Sequence, residues 1–395
     1  MSTSATQFSA TRTSDVSDLP ERAAALSRRI RERADEATIA GTVPADVIGL
    51  LESEGMFRMA LPRGLGGLEA DPVSMVRSAE ALAHADGSSA WTVMLGNLSL
   101  LLAWLDQDVA ASLLGGRPGQ PVSASFAPNG RGVEENGGYR VSGRWRYVSG
   151  SPHAGMLVLC FVVTGSGGAA PGERPVLRFG VVPADAVQVV STWNDAAGMR
   201  GSGSHDVVVD GVYVAAECTL MPFFEPPVAN GALYRMPFFT IIRSLIVGVP
   251  LGAARRALDE LTAFCQNKIR DSAPLVEDQD VQIRLAEAEA ALRAGRTYVL
   301  EMTERTWAAA REGREVSHAL RTEYTLAAQF AMRSAVRVVD LAFEIAGVSA
   351  ALSGDVIQRC WRDVNVASQH ATFSRNRWRG AGKALLGLET DPLYL

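Results

Sequence analysis

Met156-Leu157-Val158-Leu159-Cys160-Phe161-Val162-Val163 is an unbroken apolar run, rich in β-branched and aromatic side chains, with Gly155 before it and a glycine-rich stretch, Thr164 to Glu173, after it. Such a run is short for a core helix and reads as a buried strand followed by a hairpin or loop. Asp206-Val207-Val208-Val209-Asp210-Gly211-Val212-Tyr213-Val214 has the same character. Between them these segments mark residues 120–220 as a β-domain, a small barrel or sandwich.

Outward from that block the periodicity changes from two to between three and four. On the N-terminal side, residues 19–119 read as a helical domain. Pro20 suits a first helical turn, and Ala23, Leu26, Ile30, Ala34 and Ala37 recur at helical spacing. After the break at Leu61-Pro62-Arg63-Gly64-Leu65-Gly66-Gly67, helices are expected over Val73–Leu82 and Ser88–Leu105. On the C-terminal side, residues 221–395 return to helix. One stripe runs through Val281, Leu285, Ala288, Leu292, Val299 and Met302. Another runs through Leu320, Tyr324, Ala327, Ala331, Ala335, Val338, Ala342 and Ile345, up to Gly347. Alanine-rich stripes of this kind permit the close approach of an antiparallel four-helix bundle. The fold class expected is therefore α+β, with helices, β-domain and bundle in that order and residues 1–18 as a disordered, Ser/Thr-rich tail.

The bulk composition narrows the function. A chain of 395 residues with 47 % apolar and 21 % charged residues is ordinary for a globular protein large enough for a substantial core. The net charge of −5, without a long basic run, gives no support for nucleic acid or a membrane surface as partner. Val93–Leu105, read as the longest apolar stretch, is interrupted at Gly96-Asn97 and is too short to cross a bilayer. Cys160, Cys218, Cys265 and Cys360 form no CxxC pair, which points to reduced thiols and a cytoplasmic location. The five histidines form no HxH or HxxxH pair, so no metal site is expected.

Four local motifs punctuate this organisation. They are Gly55-Met56-Phe57 leading through Pro62 to Gly66-Gly67; Asp86-Gly87-Ser88-Ser89-Ala90-Trp91; Gly143-Arg144-Trp145-Arg146-Tyr147-Val148-Ser149-Gly150; and Gly198-Met199-Arg200-Gly201-Ser202-Gly203-Ser204-His205-Asp206. A fifth segment, Cys360-Trp361-Arg362-Asp363 to Ser368-Gln369-His370, lies near the C-terminus. In order and spacing they resemble the acyl-CoA dehydrogenase superfamily over residues 19–387. The Trp-x-x-x-Ser-Gly pattern and the late histidine are closer to its two-component, group D flavin-dependent monooxygenases, which include aromatic and indole hydroxylases. One departure is small: Val212-Tyr213-Val214-Ala215 stands where the family usually has Val-x-Val-Pro. The larger one is chemical. A dehydrogenase of this family carries a glutamate base, yet no carboxylate lies between Asp363 and Glu389, and Phe238–Gly252 holds no Asp or Glu.

The resemblance implies an enzyme that takes reduced flavin, FADH2 rather than FMNH2, from a separate NAD(P)H:flavin reductase. It would react the flavin with O2 and hydroxylate a small phenolic or indolic aromatic through a flavin C4a-hydroperoxide. The catalytic residues it implies are His370, Ser149 and Asn97. A serine hydroxyl near flavin N5 can donate or accept a proton there. A histidine of near-neutral pKa suits removal of a phenol or indole proton. Trp145, Val148, Ser149, His153, Arg200, Ser202 and Arg270 are the implied cofactor contacts, the arginines matching phosphate by their fork of donors. His370, Ser368, Gln369, Phe238 and Phe239 are the implied substrate contacts. A homotetramer built as a dimer of dimers is implied in the same way. The rival readings are a desaturase with an unconventional base, an N- or S-oxygenase on the same fold, and a flavin-less scaffold.

Overall fold

The computed structural model describes residues 16–165, 168, 173–270, 272–391 and 395. Most of the expected N-terminal tail and part of the Thr164–Glu173 loop lie outside the described residues. The chain enters with α1 (Leu19–Ala25), α2 (Ser27–Ala40), α3 (Ala45–Ser53), α4 (Pro72–Ala85), α5 (Gly87–Gly96) and α6 (Gln107–Leu114). Asp71 starts α4 and Asp86 starts α5, each accepting a backbone N–H of the first turn. The helix expected over Ser88–Leu105 is two elements, because α5 stops at Asn97 and a 3-10 segment, Leu98–Trp104, follows. The Asn97 amide bonds the Val93 and Met56 carbonyls and the Ala60 N–H, which diverts the backbone from regular helix.

Seven strands follow: β1 (Val122–Glu135), β2 (Gly138–Val148), β3 (Met156–Thr164), β4 (Leu177–Pro183), β5 (Gln188–Val190), β6 (His205–Ala215) and β7 (Thr219–Leu220). They form one sheet in the order β5-β6-β2-β1-β3-β4-β7, with β1 and β3 parallel and the other pairs antiparallel. Alternation along β3 divides its side chains between two cores. Leu157, Leu159, Phe161 and Val163 join Val141, Trp145, Val148, Val207 and Val209 inside the curled sheet. Val158 and Cys160 face the helices and join the main core.

The remaining elements are α7 (Phe238–Ile246), α8 (Gly248–Asn267), the small hairpin β8 (Ile269–Arg270) and β9 (Ala273–Pro274), then α9 (Gln279–Arg311), α10 (His318–Ala346), α11 (Val356–Ala367) and α12 (Arg375–Leu385). Helices α8 to α11 pack mutually as the bundle. The Phe238–Asn267 segment is largely apolar and longer than Val93–Leu105, correcting the choice of the longest apolar stretch. By length and composition alone it would pass for a membrane span, but 89 % of its most apolar window is buried inside the protein. It serves as the central core element of the bundle.

Candidate active site

The sheet's inner strand breaks its ladder where the flavin motif ends. Pairing of β2 with β6 shifts register between Trp145 and Val148, and Tyr147 within that shift has φ +63°. This bulge turns Tyr147 outward to solvent and Val148 inward, and it ends the strand at Ser149. Gly150, with φ +73°, then donates its N–H to the Ser202 carbonyl at 2.8 Å. Ser149 is thereby held beneath α5 and beside the 199–204 turn.

A chain of hydrogen bonds radiates from it. The Trp91 indole N–H of α5 donates to Ser149 Oγ at 3.1 Å. Ser149 Oγ lies 2.7 Å from Ser204 Oγ, which lies 2.7 Å from Ser202 Oγ. All three hydroxyls are buried. With Ser149 accepting from both Trp91 and Ser204, its own proton is free to point outward; with the order reversed, it points to Ser204. The cluster is a donor that can turn either way.

On the other face of Trp91 stands His370, its ring meeting the indole edge-on at 5.4 Å between centroids. Where α11 ends, His370 caps the following short 3-10 turn: its Nδ1 accepts the Thr372 N–H at 3.3 Å. That assigns Nδ1 as acceptor and leaves the proton on Nε2. Burial, then the positive charge of Arg377, pulls the imidazole down to about 4. A base of near-neutral pKa was expected from sequence; the structure corrects this to a neutral imidazole that presents an N–H donor.

Phe238 and Phe239 open α7 and belong to an aromatic cluster with Phe126, Phe179 and Phe223, in which Phe223 stacks on Phe239 at 5.3 Å. Arg377 of α12 lies over the Phe239 ring, 4.8 Å from its centroid. Ser368 borders a cavity of about 480 Å³ with Gln329, Phe373 and Trp378.

Several residues expected here have other duties. Asn97 is fully buried and its side chain is spent on the α5 break, so it is structural rather than catalytic. Trp145 is wholly inside the sheet core and donates its indole N–H to the Cys160 carbonyl at 2.7 Å, so its ring reaches no ligand. The Val148 side chain shares that core, leaving only its backbone to the site. One His153 ring nitrogen bonds Thr42 Oγ1 at 2.8 Å and the ring also bonds the backbone of Val43, which ties the turn to the N-terminal helices. Arg200 turns back to the Ala196 carbonyl at 2.7 Å. Arg270, on the β8–β9 hairpin, donates to the Ile345 carbonyl near the end of α10 at 2.6 Å, outside this cluster within one chain. Gln369 is exposed and bonds back to Ser368.

Trp91 is the functional residue that the sequence does not mark, standing at the end of the Asp86–Trp91 motif without a role implied for it. Asp363, in the Cys360–His370 segment, carries no role that the sequence shows. It accepts the Met199 N–H at 2.6 Å and so clamps the turn that carries Ser202 and Ser204. The donor set fits a flavin: rotatable hydroxyls at a strand end, a bulge that breaks the backbone ladder beside them, and an indole to fix their direction. Ser149, Ser202 and Ser204 are the residues that would hold it.

Comparison with known proteins agrees. Residues 21–107 match the acyl-CoA dehydrogenase N-terminal domain and residues 244–375 the acyl-CoA dehydrogenase C-terminal domain. The chain is 31 % identical over 372 residues to indole-3-acetate monooxygenase of Pseudomonas putida, covering 93 % of each. It is 28 % identical to the oxygenase component of the FADH(2)-dependent resorcinol hydroxylase of Rhizobium sp., covering 94 % of this chain and 95 % of that one. The crystal structure of 3-HSA hydroxylase from Rhodococcus sp. RHA1 superposes with a TM-score of 0.88 at 28 % identity, covering 95 % of this chain and 98 % of that one. Fold and site define a flavin-dependent oxidoreductase. The chain belongs to the acyl-CoA dehydrogenase superfamily, among its two-component flavin-dependent monooxygenases, as an oxygenase component served by a separate reductase.

Proposed function

We propose that this protein hydroxylates a small aromatic molecule at the junction of the sheet, α5, α7 and the α11–α12 turn, with FADH2 as the cofactor. The observation that carries this reading is the contact of His370 with Trp91, whose indole N–H holds Ser149. It joins the expected flavin contact and the expected substrate contact into one site. Naming of the resorcinol hydroxylase for FADH2 supports FAD over FMN. Reduced flavin, when bound, would supply the two electrons that activate O2, one atom of which goes to the ring while the other leaves as water.

The protein's own residues do the rest. Ser149, driven by Ser204 and Ser202 behind it, donates a hydrogen bond toward the flavin and slows proton loss there. Trp91 and the Phe223–Phe239 cluster exclude water, which suppresses release of hydrogen peroxide. Neutral His370 orients the substrate through its Nε2–H. The same reading makes the protein cytoplasmic and homotetrameric.

The test is rapid mixing of anaerobic protein and reduced FAD with oxygenated buffer, followed by flavin absorbance. A long-lived intermediate before oxidised flavin is expected. Ser149→Ala should shorten its life about 10-fold or more and raise peroxide, the scale of a lost oriented donor. His370→Ala should keep the flavin phases and lose product. Immediate reoxidation in the wild type, with bleaching of oxidised flavin by acyl-CoA thioesters, would return the chain to the desaturases.

A further inference from the structure

From Phe238 to Gly252 the chain has a single charged residue, Arg243. Its side chain is fully buried between α7 and α10. Nη1 donates to the Thr325 hydroxyl at 3.0 Å, while Nε and Nη2 are buried without a hydrogen-bond partner. No carboxylate forms an ion pair with it among the described residues. The charged neighbour acting on it is a second arginine, Arg377. One helical turn earlier on the same helix face, the Thr240 hydroxyl is likewise buried and unpartnered.

Placing a guanidinium in a protein interior without a counter-charge is strongly unfavourable, and a like charge beside it adds repulsion. Burial and Arg377 pull Arg243 down to about 9, which still leaves it charged at neutral pH. A core selected for stability alone would fill that position with an apolar side chain. The arrangement instead suits a ligand that brings a negative charge with two oxygens, because a guanidinium fork matches a carboxylate. The location fits too. Arg377 covers Phe239 and bears on His370, so the two arginines and the proposed substrate contacts are contiguous.

We propose that Arg243, with Arg377 and the Thr240 hydroxyl, is the carboxylate subsite for the substrate, so that the protein selects aromatic acids over neutral arenes. This rests on the reading of the chain as an aromatic hydroxylase. The Arg243 donors are sealed in the ligand-free chain, so the acid enters as the Phe223–Phe239 stack parts. Residues 221–231, irregular and with Phe224 exposed, form the side that gives way.

The experiment is calorimetric titration of the full chain, with and without FADH2 under nitrogen. The probes are two matched pairs: 4-hydroxyphenylacetate against 4-hydroxyphenylacetamide, and indole-3-acetate against indole-3-acetamide. In at least one pair the acid is expected to bind about tenfold or more tightly than the amide, as one charge-assisted pair supplies. Arg243→Gln should bring acid and amide to within about twofold without lowering the melting temperature, since an uncompensated buried charge is removed. Arg243→Lys should restore part of the preference, and Thr240→Val should weaken the acid alone.

Equal binding of acid and amide by the wild type overturns the proposal, as does failure of all four probes to bind. So does an acid preference that survives Arg243→Gln. Loss of both probes together with a lowered melting temperature in that variant would make Arg243 a structural residue and overturn it as well. The two readings fail separately. A long-lived oxygenated flavin species without acid preference removes only the subsite, and acid preference without that species removes only the monooxygenase assignment.

Discussion

Asp363 shows how one buried side chain governs the site from behind. It lies fully inside the protein, accepts the Met199 N–H, and faces Asp86, the cap of α5. Burial first, and then the Asp86 charge, raises its carboxyl to about 7, against the Met199 N–H it accepts and the attraction of Arg359 and Arg362. The folded chain therefore holds a proton there that the unfolded chain releases near pH 4. Stability from this group falls as pH rises from about 4 to 7 and stays lost above 7. Asp363→Asn keeps the acceptor for Met199 and removes the charge. Its thermal midpoint, compared with wild type, is expected to improve steadily between pH 5 and pH 8. Parallel curves for the two proteins across that range would refute the protonated state. Asp363→Ala strands the Met199 N–H and should cost about 1–3 kcal/mol at pH 5. Ser149 and His370 could be singled out from sequence because motif position marks them. Trp91, Arg243 and Asp363 could not be assigned roles, because what matters in each is the partner it meets or lacks, and those partners are distant in the chain.

Among the elements, the contact of α4 with α8 is set by two glycines. A Cβ at Gly248 would lie 2.3 Å from the Val76 carbonyl oxygen, and one at Gly252 would lie 2.2 Å from that of Glu80. Backbone cannot yield as a flexible side chain can, so Gly252→Ala must push the two helices apart. Overpacking of this kind costs about 1–3 kcal/mol. Gly382 in α12 has open space around its missing Cβ, and Gly382→Ala should be neutral or stabilising by up to about 1 kcal/mol. Urea midpoints of the two variants test the pair; an unchanged midpoint for Gly252→Ala would mean that the helices have slack. Since α4 leads directly into α5, this contact also sets where Trp91 stands. The stripes of α9 and α10 were readable from spacing, and the residues named there are buried apart from Leu285 and Leu320. The interruption at Asn97 was readable as a candidate helix kink, but its partners were not, because Met56 and Ala60 come from another segment.

For the whole molecule, a single chain leaves an apolar surface that a lone globule would not favour. Val348 and Leu352 beyond α10, Ile283 on α9, and Leu385, Leu386 and Leu388 at the end of α12 are all exposed. A homotetramer would cover such positions. Light scattering is expected to give about four times the 42.1 kDa chain mass, and Leu386→Asp should shift the population to smaller species. A wild-type monomer at micromolar concentration would end that proposal. What the sequence determined by itself is the order of helices, sheet and bundle and the absence of a dehydrogenase's carboxylate. Both are properties of local periodicity and of residue identity at motif positions. The tertiary structure alone decided that Trp145 fills a core while Trp91 bridges Ser149 and His370, that His370 is a neutral donor, and that Arg243 is buried without a counter-charge. Each of these depends on which groups lie within a few ångströms across the fold, and on how much water their packing removes.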